Sequence, residues 1–204
     1  MIVDAIKKNV NRESLSSEEA VQAMKEIMSG SATPSQMSAF LVSLSMKGES
    51  IEEIIALAQT MKEFANRIKP SYDDRLVDIV GTGGDKIKTI NLSTISAFVL
   101  ASSDIKIAKH GNRAATGKCG SADVLDRLGY RLDTEPNKVK ESIENNGIGF
   151  IFAPVFHPAM KNVIGTRKEI GVRTIFNILG PLTNPADADS MIVGVCLLYT
   201  SDAA

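Results

Sequence analysis

The stretch "VGTGGDKIKTINLSTISAF", residues 80–98, runs from an apolar segment into three glycines, an aspartate and a row of short hydroxyl and amide side chains. Glycine loses the most backbone freedom on folding, so this concentration indicates a backbone that bends sharply or approaches a ligand closely. The residues after the glycines favour a helix that begins near Leu92. A phosphate group is the first candidate for the ligand, because inward-turned N–H groups and a helix N-terminus both attract anions.

Around this stretch, short apolar runs alternate with longer segments of helical character. The runs predict strands at residues 77–80, 105–108, 148–152 and 191–195. This alternation predicts an α/β domain with a mainly parallel sheet. Ligands of such sheets bind outside the carboxyl ends of the strands. We therefore expect the site in the loops after the first two runs, "GTGGDKIKTINLST" and "KHGNRAATGKCGS".

The front of the chain has a different pattern, with three helix-start signals of the capping-box type. These are "SSEE" from Ser16, "TPSQ" from Thr33 and "SIEE" from Ser50, each followed by apolar residues at helical spacing. The sequence therefore predicts a small helical domain over residues 1–70, followed by the α/β domain over residues 71–204.

Composition limits the class of protein. The chain has 204 residues, of which 44% are hydrophobic and 23% charged, and its formal net charge is -1. Such a charge provides no field that attracts a polyanionic polymer, so no nucleic-acid partner is expected. No stretch approaches the roughly 20 apolar residues of a membrane span, and the N-terminus lacks the apolar core of a signal peptide. We expect a cytoplasmic protein that has no membrane partner.

The glycine loop differs from the common nucleotide-binding motifs. It is not a Walker A sequence, and Lys86 occupies the position of the third glycine of GxGxxG. It can still form an anion-binding nest at the start of the following helix. Asn91, Ser93 and Thr94 stand at that helix start, where such side chains either cap the helix or contact a ligand. Spacing alone leaves both alternatives open.

Asp85 is out of place beside a phosphate unless a cation or a sugar hydroxyl lies between them. The loop therefore suggests a phosphorylated sugar bound with Mg²⁺. The second loop adds Lys109, His110, Arg113 and Lys118. By itself a basic loop is more often a solvated surface, but opposite a glycine-rich turn this one is a plausible clamp for a polyphosphate.

Five segments of the chain resemble segments of one known family, and their combination is more specific than any one of them. They are "VDIVGTGGD", "NLSTISAF", "AKHGNRAATGKCGSADVL", "FAPVFHPAMKNV" and "GVRTIFNILGPLTNP". They resemble the anthranilate phosphoribosyltransferase family of tryptophan biosynthesis over about residues 1–195. The resemblance implies a helical domain and a nucleoside phosphorylase-like phosphoribosyltransferase domain, a homodimer, and transfer from phosphoribosyl pyrophosphate to anthranilate with Mg²⁺ present.

The resemblance also implies roles for individual residues. The anthranilate contacts fall on Gly81, Asn112 and Arg167, with His110 nearby as a possible proton relay or a wall of the site. An arginine suits a carboxylate because its planar fork binds two oxygens. Ser93 would also contact Mg²⁺. The contacts to pyrophosphate and ribose fall on Gly81, Gly84, Asp85, Thr89, Asn91, Ser93, Thr94, Lys109 and Ser121, with the loop from Lys109 to Gly117 closing over the ligand.

Two departures from the family pattern stand out. The family is longer and carries an acidic Asp-Glu pair that holds Mg²⁺ in its second half, and this chain has no counterpart of that pair. The final "CLLYTSDAA" also leaves the family pattern. We therefore expect the α/β domain to be incomplete at its C-terminus and the 204-residue chain to be poorly active or inactive.

Two rival functions remain open at this point. One is a pyrimidine-nucleoside phosphorylase-like enzyme, which shares the architecture and a glycine-rich phosphate loop. The other is a non-catalytic homologue that binds nucleic acid through the basic loop. The "KHGNRAATGKCGS" and "RTIFNILGPL" segments fit the transferase better, and the net charge of -1 together with Asn112 and Arg167 weighs against the nucleic-acid binder.

Overall fold

The computed structural model describes residues 1–81, 90–114 and 119–194. The chain divides into two compact units. One contains residues 1–65 and 157–183, and the other contains residues 66–156 together with the residues from 184 onward. No helix in the described ranges is long and apolar enough to cross a membrane.

The first unit is helical. Its capping boxes at Ser16, Thr33 and Ser50 are all formed, with each hydroxyl accepting the N–H three residues later, so the three predicted helix starts are confirmed. Its elements, in chain order, are α1 (Ile2–Val10), α2 (Ser17–Met28), α3 (Pro34–Lys47), α4 (Ile51–Glu63), a 3₁₀ turn (Pro158–Met160), α9 (Lys161–Ile170) and α10 (Phe176–Leu182).

The segment 157–183 packs with the front helices rather than with the sheet. Val163 and Leu179 are fully buried in the same apolar core as the residues of α2 to α4. The Asn162 side chain donates a hydrogen bond to the Met28 carbonyl at 2.9 Å. The sequence analysis placed one domain boundary near residue 70. In the structure the helical unit contains two segments that are far apart in sequence, residues 1–65 and 157–183.

The second unit is a four-stranded sheet with helices. Its strands are β1 (Leu76–Gly81), β2 (Lys106–Gly111), β3 (Ile148–Phe152) and β4 (Ser190–Gly194). All the recorded pairings are parallel and the order is β3-β2-β1-β4, so the four predicted strands and the parallel sheet are confirmed. The helices of this unit are α5 (Leu92–Ala101), α6 (Ser121–Arg127), α7 (Pro136–Asn146) and α8 (Ala153–Phe156).

Strand β1 is paired unequally with its two neighbours. It pairs with β4 over five residues, from Val77 to Gly81. With β2 the ladder covers only Leu76 and Val77. Further along β1, side chains contribute hydrogen bonds to the backbone of the facing strand, and these side chains lie next to the site.

Candidate functional site

The carboxyl ends of β1 and β4 meet beside the N-terminus of α5. Gly81 is the last residue of β1 and pairs with Gly194, the last residue of β4. A Cβ placed on Gly194 would lie 3.8 Å from the Ser93 Oγ and 4.0 Å from the Gly81 Cα. The structure therefore brings Gly81 and Ser93 together. The candidates Gly84, Asp85 and Thr89, and Lys118 of the basic loop, lie outside the described residues.

The start of α5 also holds Asn91 and Thr94. Asn91 is the N-cap residue, but its side chain makes no capping hydrogen bond; its amide instead reaches the Cys119 Sγ at 3.9 Å. The buried Thr94 donates its hydroxyl hydrogen to the Ser121 Oγ at 3.0 Å. The sequence left open whether Asn91 caps the helix or contacts a ligand. In this structure its side chain does not cap the helix.

Thr94 and Ser121 connect the two candidate loops. Ser121 is the first residue of α6, which follows the second loop. The Asn112 carbonyl accepts the Ala122 N–H at 3.2 Å, so the beginning of the second loop also lies at the start of α6. Thus Thr94, Asn112 and Ser121 occupy one neighbourhood of the sheet unit.

Lys109 is buried, at 3% exposure, and its ammonium group donates to the Ile79 carbonyl on β1 at 2.7 Å. Burial lowers the pKa of Lys109 to about 8, and the negative charge of Asp78 opposes this shift. In this structure the lysine therefore contacts the main chain at the site edge, and it is poised to change its charge in mildly alkaline solution.

Asp78 is a neighbour that sequence reasoning missed. It is 1% exposed, and its Oδ1 accepts the His110 N–H at 3.0 Å. Burial raises the pKa of its carboxyl, against the effect of hydrogen bonds from the Asn184 side chain and the His110 N–H. The signal was a single acid inside the apolar run "LVDIV". Asp78 and Lys109 thus each bond to the backbone of the opposite strand.

Asn184 is a second residue that the sequence analysis missed. It is buried, its amide nitrogen donates to the Ala108 carbonyl at 2.8 Å, and its side-chain oxygen accepts the Ala186 N–H at 2.9 Å. It lies in the "LTNP" part of a segment that the resemblance used. Its side chain supports β2 immediately before Lys109.

Arg167 lies on α9 in the helical unit, whereas the other described candidates belong to the sheet unit. It is half-buried, and its guanidinium stands 5.4 Å from the centre of the Phe176 ring. Burial lowers the pKa of Arg167, and no acidic side chain of the described residues offsets that effect. A cation in this state is suited to receive an anionic ligand, because burying a charge is costly until it is paired.

His157, ten residues before Arg167, is nearly inaccessible at 2% exposure. Burial lowers its pKa to about 4, against the effect of a hydrogen bond with the Thr183 backbone. The imidazole is therefore neutral near pH 7 and contributes packing and hydrogen bonding rather than charge.

The described residues, 1–81, 90–114 and 119–194, contain no group of three or more His, Cys, Asp or Glu side chains that could hold a metal ion. Ser93 is the residue to which the resemblance assigns the metal, and its hydroxyl near Gly81 and Gly194 is one oxygen of the type that Mg²⁺ accepts. A single neutral hydroxyl could hold Mg²⁺ only together with ligands from other groups, such as water or phosphate.

Two protein-family models match the chain. "Glycosyl transferase family, a/b domain" matches residues 73–201, and "Glycosyl transferase family, helical bundle domain" matches residues 3–65. The first match covers more than half of the chain and the second covers most of the helical front.

Individual proteins are similar over almost the whole chain. The anthranilate phosphoribosyltransferase of Persephonella marina is 52% identical over 195 residues, which are 96% of this chain and 58% of that protein. The crystal structure of the anthranilate phosphoribosyltransferase of Thermus thermophilus has a TM-score of 0.90 and 48% identity, covering 97% of this chain and 60% of that one.

A more distant solved structure carries ligands. The anthranilate phosphoribosyltransferase of Saccharomyces cerevisiae, in complex with PRPP and Mg, has a TM-score of 0.86 and 28% identity. The match covers 98% of this chain and 60% of the yeast chain. This chain therefore spans somewhat more than half the length of the relatives it matches.

Proposed function

The chain belongs to the glycosyl transferase family that these models describe, and we propose that the whole protein transfers the phosphoribosyl group of phosphoribosyl pyrophosphate to anthranilate. The products are N-(5-phosphoribosyl)anthranilate and pyrophosphate. Relatives at about half identity carry this activity in their names, which supports the proposal.

Arg167 is the observation that carries the proposal. It is a half-buried cation whose pKa is lowered by burial, and its guanidinium lies 5.4 Å from the centre of the Phe176 ring. Anthranilate is an aromatic acid, whose carboxylate would pair with the two N–H edges of the guanidinium. A pyrimidine acceptor has no carboxylate, so an arginine in this state favours the transferase over the nucleoside phosphorylase-like alternative.

The donor side is proposed to lie at the N-terminus of α5. Gly81, Ser93 and Thr94 present backbone and hydroxyl groups there, and a helix N-terminus favours a phosphate. Ser93 would give one oxygen to Mg²⁺, which when bound would neutralise negative charge on the departing pyrophosphate. The remaining proposed donor contacts are Gly84, Asp85, Thr89, Asn91, Lys109 and Ser121.

The chemistry asks for little covalent participation by the protein. Positive charge develops on the ribose as pyrophosphate leaves and the aromatic amine attacks, so position and electrostatics account for most of the rate. Arg167 and Asn112 would orient the acceptor, and Lys109 with the α5 terminus would bind the leaving group. The role of His110 as a proton relay stays a prediction, and so do the homodimer and the cytoplasmic location.

Replacing Arg167 with alanine in a protein extended to the length of the relatives tests the proposal. We expect kcat/KM for anthranilate to fall by about 10- to 150-fold, the equivalent of the roughly 1.5–3 kcal/mol that a charge-assisted hydrogen bond contributes. The Kd for phosphoribosyl pyrophosphate should hardly change. Initial rates and a binding titration measure the two quantities.

Lys168→Ala is the matched control, because Lys168 is the exposed neighbour of Arg167 on α9. It should leave both quantities unchanged. Equal losses for both substrates in Arg167→Ala would contradict the acceptor role. Parallel assays of the parent with thymidine plus phosphate, and with a single-stranded oligonucleotide, test the two rival functions directly.

The lowered pKa of Lys109 predicts proton uptake when phosphoribosyl pyrophosphate binds. In the free protein the pKa is about 8, so at pH 8.5 most of the Lys109 side chains are neutral. A bound polyphosphate favours the charged form and raises the pKa, so binding takes up protons and the affinity falls as pH rises through about 8. Titration calorimetry in two buffers of different ionisation enthalpy measures the uptake.

Lys106 provides the control for this prediction, because it lies on the same strand but donates to the Glu144 carbonyl. Lys106→Met should retain the uptake, whereas Lys109→Met should lose it and bind more weakly at pH 7. Identical uptake by the parent and by Lys109→Met would exclude Lys109 as the titrating group.

A further inference from the structure

The two ends of the second loop are held by one carboxylate. The Asp123 Oδ2 accepts the N–H of Ala114 at 2.9 Å and the N–H of Gly120 at 2.8 Å. Asp123 is the third residue of α6, and an acid at that position commonly caps its own helix start. Capping accounts for the bond to Gly120. It does not account for the bond to Ala114, which lies on the other end of the loop.

Arg113 adds a second connection across the same point. One terminal nitrogen of its guanidinium donates to the Asp123 Oδ1 at 3.0 Å and the other to the Asp126 Oδ2 at 2.8 Å. The backbone N–H groups of Ala114 and Gly120, followed by the Arg113 guanidinium, hold the pKa of Asp123 below its ordinary value. We call Asp123, Arg113 and these two N–H groups the clasp.

The backbones joined by the clasp touch each other directly. A Cβ added to Gly120 would lie 2.5 Å from the Ala114 N and 2.8 Å from the Arg113 carbonyl carbon. Contacts that short do not occur without displacement, so a side chain at residue 120 would separate the two ends of the loop. The spacing between them is therefore set by a glycine on one end and a carboxylate on the other.

The clasp lies between two proposed ligand contacts. Asn112, the proposed acceptor contact, precedes Arg113, and its carbonyl accepts the Ala122 N–H at 3.2 Å. Ser121, a proposed donor contact, follows Gly120 and accepts the hydroxyl hydrogen of Thr94. A shift of Asp123 would therefore change the distance between a residue on the acceptor side and one on the donor side.

We infer that Asp123 is a positioning residue, which sets the spacing of Asn112 and Ser121 by joining the two ends of the second loop. The inference rests on the proposed function, since that function assigns the ligands to Asn112 and Ser121. No substrate contact is proposed for Asp123 itself. Its effect reaches them through the two backbone N–H groups that it holds.

Three variants of a protein extended to the length of the relatives test this role. Asp123→Ala removes the clasp, and Asp123→Asn keeps an oxygen that can accept the two N–H groups. Asp126→Asn is the matched control. The Asp126 carboxylate accepts a hydrogen bond from Arg113, whereas the N–H groups of Ala114 and Gly120 donate to Asp123. We expect kcat/KM for anthranilate to fall about tenfold or more in Asp123→Ala, because small misplacements of positioned groups reduce rates strongly. We expect partial recovery in Asp123→Asn and little change in Asp126→Asn.

Amide hydrogen exchange at Ala114 and Gly120 gives a readout that is independent of catalysis. Both N–H groups should lose protection in Asp123→Ala and keep it in Asp126→Asn. Lost protection with unchanged kcat/KM would overturn the positioning role, and so would unchanged protection. If Asp123→Ala does not fold, the positioning role is tested with Asp123→Asn and Arg113→Met. For both variants, kcat/KM for anthranilate and amide exchange at Ala114 and Gly120 are measured. A parent without transfer activity would overturn the proposed function itself, whereas an active parent matched by Asp123→Ala would overturn only the role of Asp123.

Discussion

Replacing Asp78 with alanine is expected to lower the free energy of unfolding by at least about 1–3 kcal/mol, the cost of leaving a buried hydrogen-bonding group without its partner. Asp78 is 1% exposed and Lys109 is 3% exposed. The substitution leaves the His110 N–H without its acceptor and removes a negative charge that raises the pKa of Lys109. Urea unfolding of the parent and the variant at pH 7 measures the difference.

Two further variants locate the cause of this loss. Asp74→Ala removes an exposed acid of the same unit and should change the stability little. Adding Lys109→Met to Asp78→Ala removes the unpaired cation, so the double variant should recover part of the stability. An Asp78→Ala variant within about 0.5 kcal/mol of the parent would show that Asp78 is not a significant stabilising residue.

A polypeptide of residues 1–204 alone is expected to show little or no transfer to anthranilate, whereas one extended to the length of the relatives should be active. Strand β4 lies at the edge of the described sheet, and Met191, Ile192 and Val193 on it are 41–49% exposed. On α5, Leu92 and Phe98 are also exposed. Apolar faces next to an open strand edge favour association between copies, so light scattering should detect assemblies of the shorter polypeptide.

A charge on the open edge separates association from loss of chemistry. Ile192→Lys in the shorter polypeptide should reduce association, because charged side chains oppose pairing between edge strands. It should not restore turnover, because these 204 residues span only 58% of the length of a relative such as the Persephonella marina protein. Turnover of anthranilate at saturating Mg²⁺ is the measurement. Equal turnover by the short and the extended proteins would mean that other groups hold the metal.

Local sequence rules were sufficient for the elements of secondary structure. The three capping boxes depend on residues three positions apart, and the four strands depend on runs of apolar residues, so both could be identified without tertiary contacts. The family could be recognised in the same way, because its motifs are contiguous segments of the chain. Local order also predicts that Gly81 ends a strand and that Ser93 lies in the first turn of the next helix.

Local sequence rules did not predict the hydrogen-bond partners of the site residues. The sequence analysis named Lys109 as a ligand contact and passed over Asp78, although each bonds to the strand of the other. It named Arg113 as part of a basic cluster, whereas the structure pairs it with two acids of α6. In each case the partner lies 10 to 32 residues away, and no local pattern connects the two.

The sequence by itself determined the helical front, the strand and helix order of the sheet unit and the family, because these depend on neighbours along the chain. Only the tertiary structure decided that residues 157–183 pack with the front helices, that Lys109 is buried against β1, and that Arg167 lies half-buried over Phe176. The physical reason is that burial and charge pairing depend on which distant segments meet. Burial lowers the pKa values of both Lys109 and Arg167.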